Sequence, residues 1–182
     1  MAAEKKSGIR MIRDMVFSVT VVALAAGVIY LFVPHDTDRD PVRPVSYRVE
    51  LRTASRAAPY PVAAPEGLPG NWRATSVTYE GAGPDGAAWH LGFVTPDEEY
   101  AALEQSDAEQ ESFVEDVTYG ARRTGATVRI GGETWARYAG HKYDALVRSG
   151  PEVTTVVTGT ASPAQLERLA AALEPAAQDA RG

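Results

Sequence analysis

Residues 127–138 read TVRIGGETWARY: two runs in which apolar and polar side chains alternate, separated by Gly131-Gly132. Paired glycines between alternating runs suit a two-residue turn, so the segment predicts a tight β-hairpin. Reading outward, YDALVR (143–148) and VTTVVTG (153–159), divided by SGPE, extend the hairpin into a meander of four strands. Then Ser162-Pro163-Ala164-Gln165 supplies an N-cap, a first-turn proline and a third-position partner. Leu166, Leu169, Ala170 and Leu173 follow at helical spacing, which predicts a closing helix that Pro175 ends.

Towards the N-terminus, WRATSVTYE (72–80) and AAWHLGFVT (87–95) flank the turn-rich GAGPDG and predict a second antiparallel hairpin. The Thr95-Pro96-Asp97-Glu98 stretch suits a turn that returns the chain as a third strand, EYAALEQ; the alternative is a helix cap. Ser106 and Glu109 form a capping box opening a helix in which Phe113, Val114 and Val117 share a face. Upstream, Val45, Tyr47, Val49 and Leu51 alternate with polar neighbours and predict a strand. Residues 53–71, with four prolines, predict a surface loop after a short helical turn. Strand clusters each followed by a helix imply an α+β domain, an antiparallel sheet with helices packed on it.

Before this domain stands MVFSVTVVALAAGVIYLFV (15–33), uncharged for 19 residues. As a helix it would rise about 28 Å, close to the hydrocarbon thickness of a bilayer. Lys5, Lys6, Arg10 and Arg13 precede it, and Asp36, Asp38 and Asp40 follow. The positive-inside rule therefore leaves the N-terminus in the cytoplasm and the bulk of the chain outside. A cleaved signal peptide is the rival, with Ala23-Leu24-Ala25 as cleavage box, but the run stays apolar well past that box. The expected organisation is a cytoplasmic basic segment (1–14), a transmembrane helix (15–33) in contact with lipid, and a proline-rich linker (34–45). An extracytoplasmic α+β domain (46–175) and a disordered tail (176–182) complete it. There is no cysteine, which removes disulfides, thiolate metal sites and a lipidated terminus.

The layout of anchor and ectodomain, the segments PVAAPEGLPGNWRATSVTY and WHLGFVTPDEEYAALEQSD, and the strand VTTVVTG before SPAQLERLAAAL resemble one family. It is the actinobacterial family of domain of unknown function 4245. The resemblance implies a single-pass envelope protein of high-GC Gram-positive bacteria, and it implies no activity.

Chemistry is sparse in the sequence. No lysine or arginine stands between Arg73 and Arg122, while eleven acids do. Several of these suit a helix N-terminus or a turn, and no spacing matches a metal site. His90 alternates with Trp89 and Leu91 and so faces away from them. No nucleophile motif accompanies it. His90 and Glu104 are the two candidates for proton transfer if the domain is catalytic. Trp135 and Arg137 share a strand face and are the candidates for a binding pair of aromatic and cation, or for a partly buried rim. Beyond the span, 14 basic residues face 22 acidic ones, a balance that repels nucleic acid. No cofactor is called for. The expected function is a non-catalytic binding or scaffold domain meeting an envelope protein or wall component. The alternative is an envelope hydrolase, or a small-ligand carrier, with a site assembled only in three dimensions.

Overall fold

The computed structural model describes residues 15–22, 46–83 and 86–176. The chain divides into two units, Met1–Pro41 and Val42–Gly182. In the first, residues 15–22 are helical; most of the expected span, the basic segment and the whole of the linker lie outside the described residues, as do residues 177–182. No helix among the described residues is long and apolar enough to cross a membrane.

In the second unit the elements run α1 (Arg48–Ala57), β1 (Ala63–Pro65), β2 (Arg73–Gly83), β3 (Gly86–Val94), β4 (Tyr100–Ser106) and α2 (Gln110–Thr118). They continue as β5 (Arg122–Ile130), β6 (Glu133–Ala139), β7 (Asp144–Ser149), β8 (Thr154–Gly159), α3 (Pro163–Ala171) and β9 (Leu173–Pro175). Seven strands form one antiparallel sheet in the order β2-β3-β4-β8-β7-β6-β5. The expected α+β class, both hairpins, the returning third strand and the four-strand meander are all present. Gly131 and Gly132 sit at φ +59° and +85°, the pair of positive angles a tight hairpin turn of this kind needs.

One sheet face carries the main core: Trp89, Leu91, Phe93, Leu103, Trp135, Leu146 and Val157, covered by Ala54 of α1 and by Leu166 and Leu169 of α3. The other face carries a smaller cluster in which Val114 of α2 meets Ala145, Val147 and Val156 of β7 and β8. Gln165 closes the start of α3 as expected, its Oε1 accepting the Ser162 N–H at 3.1 Å.

Four expectations are corrected. Residues 48–57 are a helix, not a strand. Leu51, Ala54, Ser55 and Ala58 form a helical stripe against the core, whereas Val49 is 60% exposed. The alternation of four residues competed with a longer period of 3.6 and lost. The proline-rich stretch is no surface loop: Tyr60, Val62, Ala63 and Ala64 are buried, and β1 pairs with β9. Side chains from the sheet satisfy its backbone. Gln105 Oε1 accepts the Ala63 N–H at 2.6 Å, and Trp89 Nε1 donates to the Ala63 carbonyl at 3.0 Å. The cap of α2 is Glu109, whose carboxylate accepts from the Glu111 and Ser112 N–H groups. Ser106 belongs to β4 and donates to the Ala87 carbonyl instead. Finally, α3 ends at Ala171, so Leu173 lies in β9, half-buried.

Candidate functional site

Direct cross-strand pairing sets the candidate site. His90 on β3 stands opposite Thr78 on β2 and Glu104 on β4. Because side chains alternate, His90 and Glu104 share the face opposite Trp89, Leu91 and Leu103. Their Cβ atoms are thus brought close by register alone. His90 Nδ1 lies 2.6 Å from Glu104 Oε1.

A third member is Ser76, which the plain alternation of β2 would place on the core face. The pairing of β2 with β3 shifts between Ala74 and Ser76, so Thr75 is the extra residue of a bulge. Ala74 is buried on the core side, yet Ser76, two positions on, is turned to the other face. There Ser76 Oγ lies 2.7 Å from His90 Nε2. The sequence carries a trace of this: Trp72 and Ala74 are apolar at even positions, Val77 and Tyr79 at odd ones. That change of parity within WRATSVTYE is the mark of a bulge.

Glycine makes the approach feasible. A Cβ on Gly92, which is paired with Ser76, would fall 2.3 Å from Ser76 Oγ and 3.1 Å from the Tyr100 hydroxyl. Tyr100 hydrogen-bonds Ser76, and burial pushes its phenol well above the usual range. Tyr100 continues into a ring cluster with Tyr143 at 5.7 Å, Tyr143 meets Tyr119 at 5.2 Å, and Lys142 Nζ lies 3.3 Å above the Tyr119 ring.

Burial and pairing both act on the titration of the two groups. Burial works against charge on His90, but the hydrogen bond and the charge of Glu104 outweigh it, so the imidazole is raised above its ordinary value. Burial likewise raises Glu104, and His90 offsets only part of that rise. The two shifts pull against each other on charge, since the first takes Glu104 as an anion and the second disfavours one. They agree on protons: the pair holds them to higher pH than the separate groups would. With Glu104 ionised, Nδ1–H donates to it and Nε2 accepts the Ser76 hydroxyl proton. That is the order of contacts used to activate a serine.

The other candidate pair is not assembled as expected. Trp135 is 1% exposed, a core residue and not a rim. The cation over its ring is Arg148, 5.2 Å from the centroid, while Arg137 forms an ion pair with Glu167 of α3. His141 lies in an exposed turn. Among the described residues no three His, Asp or Glu side chains gather as a metal site. Asp107 and Glu109 of the acidic stretch have local duties. Asp107 accepts the Ala87 N–H at 2.7 Å, and the N–H groups of Ser112 and Glu111 hold Glu109 below the usual carboxylate range.

Two clefts lie away from the serine–histidine–glutamate row. One of about 400 Å³ is bounded by the proline-rich strap, the largely buried residues 60–65, by the β7–β8 turn and by β9, with Arg148 and Gln105 in its wall. Another, of about 670 Å³, is lined by residues of α1, the 64–70 stretch, Trp72 and Phe93.

Against known families, the model described as "Protein of unknown function (DUF4245)" matches residues 9–173. The chain belongs to this DUF4245 family. No curated protein matches it. The matched span includes every strand of the main sheet and all three residues of the DUF4245 protein's polar row.

Proposed function

We propose that this DUF4245 protein is a single-pass membrane protein of the cell envelope whose C-terminal domain is a non-catalytic binding or scaffold module outside the membrane. The observation that carries the reading is the uncharged run at 15–33, basic before and acidic after. On this reading the proline-rich residues 34–45 would serve as the linker between anchor and domain. The partner is another envelope protein or a wall component. An acidic outward part sets it apart from nucleic-acid binders. The protein should resist carbonate extraction, keep its N-terminal residues, and lose its bulk to protease added outside intact cells. A mature terminus at Ala26 sinks the anchor.

A second reading, an envelope hydrolase, is favoured by one observation: Ser76, His90 and Glu104 line up across three strands at 2.7 and 2.6 Å. Acyl transfer needs, besides that line, converging N–H donors for an oxyanion and a seat for the substrate. A fluorophosphonate probe separates the readings. Adduct formation on Ser76, together with ester, phosphoester or peptidoglycan turnover lost in the His90→Gln/Glu104→Gln double variant, would establish the hydrolase. An unlabelled Ser76 with intact partner capture from native membranes leaves the binding module.

A further inference from the structure

Strand β5 closes one end of the main sheet: among the described residues it pairs with β6 and with no other strand. None of its nine residues is buried, and only Val128 and Ile130 are half-buried. An edge strand leaves the N–H and C=O groups of alternate residues pointing away from the sheet, and another strand answers both kinds at once. The ladder of β5 is interrupted once. Residues 124–126 stand opposite Arg137 alone, with Gly125 at φ +83°. Beyond that bulge, residues 127–130 pair regularly with β6.

Charge singles this edge out. Arg122, Arg123 and Arg129 lie on β5 with no acid among them, in a chain of net charge −6. Among the described residues none of the three guanidinium groups has a hydrogen bond or an ion pair. Glu111 and Glu115 line a cleft with Arg122 and Arg123 yet pair with neither. Val128 and Ile130 pack against the main core, so Arg129 projects from the opposite face. Arg123 stands opposite Tyr138, which packs on that same opposite face, so Arg123 and Arg129 share it. A second copy of β5 is a poor occupant of this edge. Full-length antiparallel pairing of two copies, centred on Ala126, sets Arg123 of each opposite Arg129 of the other, and like charges directly opposite destabilise a sheet.

We propose that β5 is a docking edge for an extended acidic segment of a protein partner, which adds to the sheet as an eighth strand. Its backbone would pair along residues 127–130, and acidic side chains at alternate positions would meet Arg129 and Arg123. The same arginines keep copies of this chain apart and select the partner by charge. A phosphate polymer would answer the arginines but not the outward carbonyl groups. The proposal deepens the binding reading above, on which it rests, by giving the module an interaction surface and its partner a chemistry.

The test uses the full chain in phosphatidylcholine nanodiscs. The probe is a short synthetic peptide that alternates glutamate with valine, its binding read by fluorescence anisotropy and by hydrogen exchange with mass spectrometry. The peptide should slow exchange across residues 122–130 and leave β2, the strand at the other end of the sheet, unchanged. Its glutamine counterpart, and a version methylated at its amide nitrogens, should each bind several-fold more weakly. Arg123→Gln/Arg129→Gln, at two exposed positions, should weaken binding several-fold without changing the melting of the domain. Equal binding of the glutamine peptide overturns the acidic partner. Equal binding of the methylated peptide, or the same protection from polyphosphate, overturns strand addition. No protection of residues 122–130, or protection confined to β2, overturns the site and leaves the arginines as guards of the edge only. Protection that rises with protein concentration when no peptide is present assigns the edge to a second copy and overturns the proposal. Fluorophosphonate labelling tests the underlying reading separately. An unlabelled Ser76 beside an unprotected β5 refutes only this inference, and turnover at Ser76 beside a protected β5 refutes only the non-catalytic module.

Discussion

The two faces of strands β2, β3 and β4 are made by alternate residues of the same short segments, yet they serve different ends. On one face Trp89, Leu91 and Leu103 are fully buried beneath the helices and the proline-rich strap. On the other, one residue along, stand Ser76, His90 and Glu104, half-buried and joined in a hydrogen-bonded row. The lesson is a division of labour by parity: packing on the first face holds strand register, and register then positions the polar groups of the second. A change on the packed face should therefore threaten the whole domain. A change on the polar face should leave the fold standing and alter only its proton balance.

The largest effect belongs to the packed face. Leu169 is fully buried against the main core, so Leu169→Ala should cost about 2–5 kcal/mol through lost burial and the cavity left behind. Urea denaturation of the 46–182 fragment, which contains both core clusters, measures it. A melting curve left unmoved would mean that α3 is not docked. Next comes the join between strap and sheet. Gln105→Leu keeps the volume but leaves the Ala63 N–H without its acceptor, at a cost of about 1–3 kcal/mol. A neutral result would show that the strap is held by packing alone.

Gly92 tests the comparison from the polar side. Gly92→Ala puts a methyl group into the Ser76 hydroxyl, which should cost about 1 kcal/mol and break the Ser76–His90 contact. The His90 ring resonances should shift by NMR while the far strands keep theirs. If β5–β7 signals move as much as those of β3, the two faces are coupled more tightly than the parity argument allows.

How far the fold was legible follows the range of the forces involved. The hairpin at 127–138 was readable because a turn needing two positive φ angles is local and names its own glycines. The cap at Ser162 and Gln165 was readable for the same reason. The strap was not, because its backbone is satisfied by Gln105, 42 residues away in sequence. Prolines, which look like loop formers, are tolerated there because only some of its N–H groups need acceptors. Of the polar row, His90 and Glu104 were found by strand pairing, whereas Ser76 was hidden by a one-residue bulge that moved it to their face. Trp135 and Arg137 misled because a shared strand face does not decide the side-chain partners: Arg148 from the neighbouring strand took the ring, and Glu167 from α3 took the cation.

The smallest effect sharpens the comparison most. His90 and Glu104 are both raised above their ordinary values in the fold, so the native state binds more protons than the unfolded chain across their titration. Stability then falls as pH rises, since its slope follows the protons bound by the unfolded state minus those bound by the native one. For His90 the contribution is complete below its ordinary value of 6.5 and is lost as pH climbs through its raised native value. For Glu104 the same sense applies from its ordinary value of 4.5 upward. Other groups titrate in this range, so the quantity to follow is the stability of the wild-type fragment minus that of His90→Gln/Glu104→Gln. That difference should decline steadily from pH 4.5 to beyond 6.5, while both proteins keep the same circular dichroism at neutral pH. Parallel stability profiles would show that the pair shares no proton, and the row would then be a set of contacts without the proton affinity that burial and pairing give it.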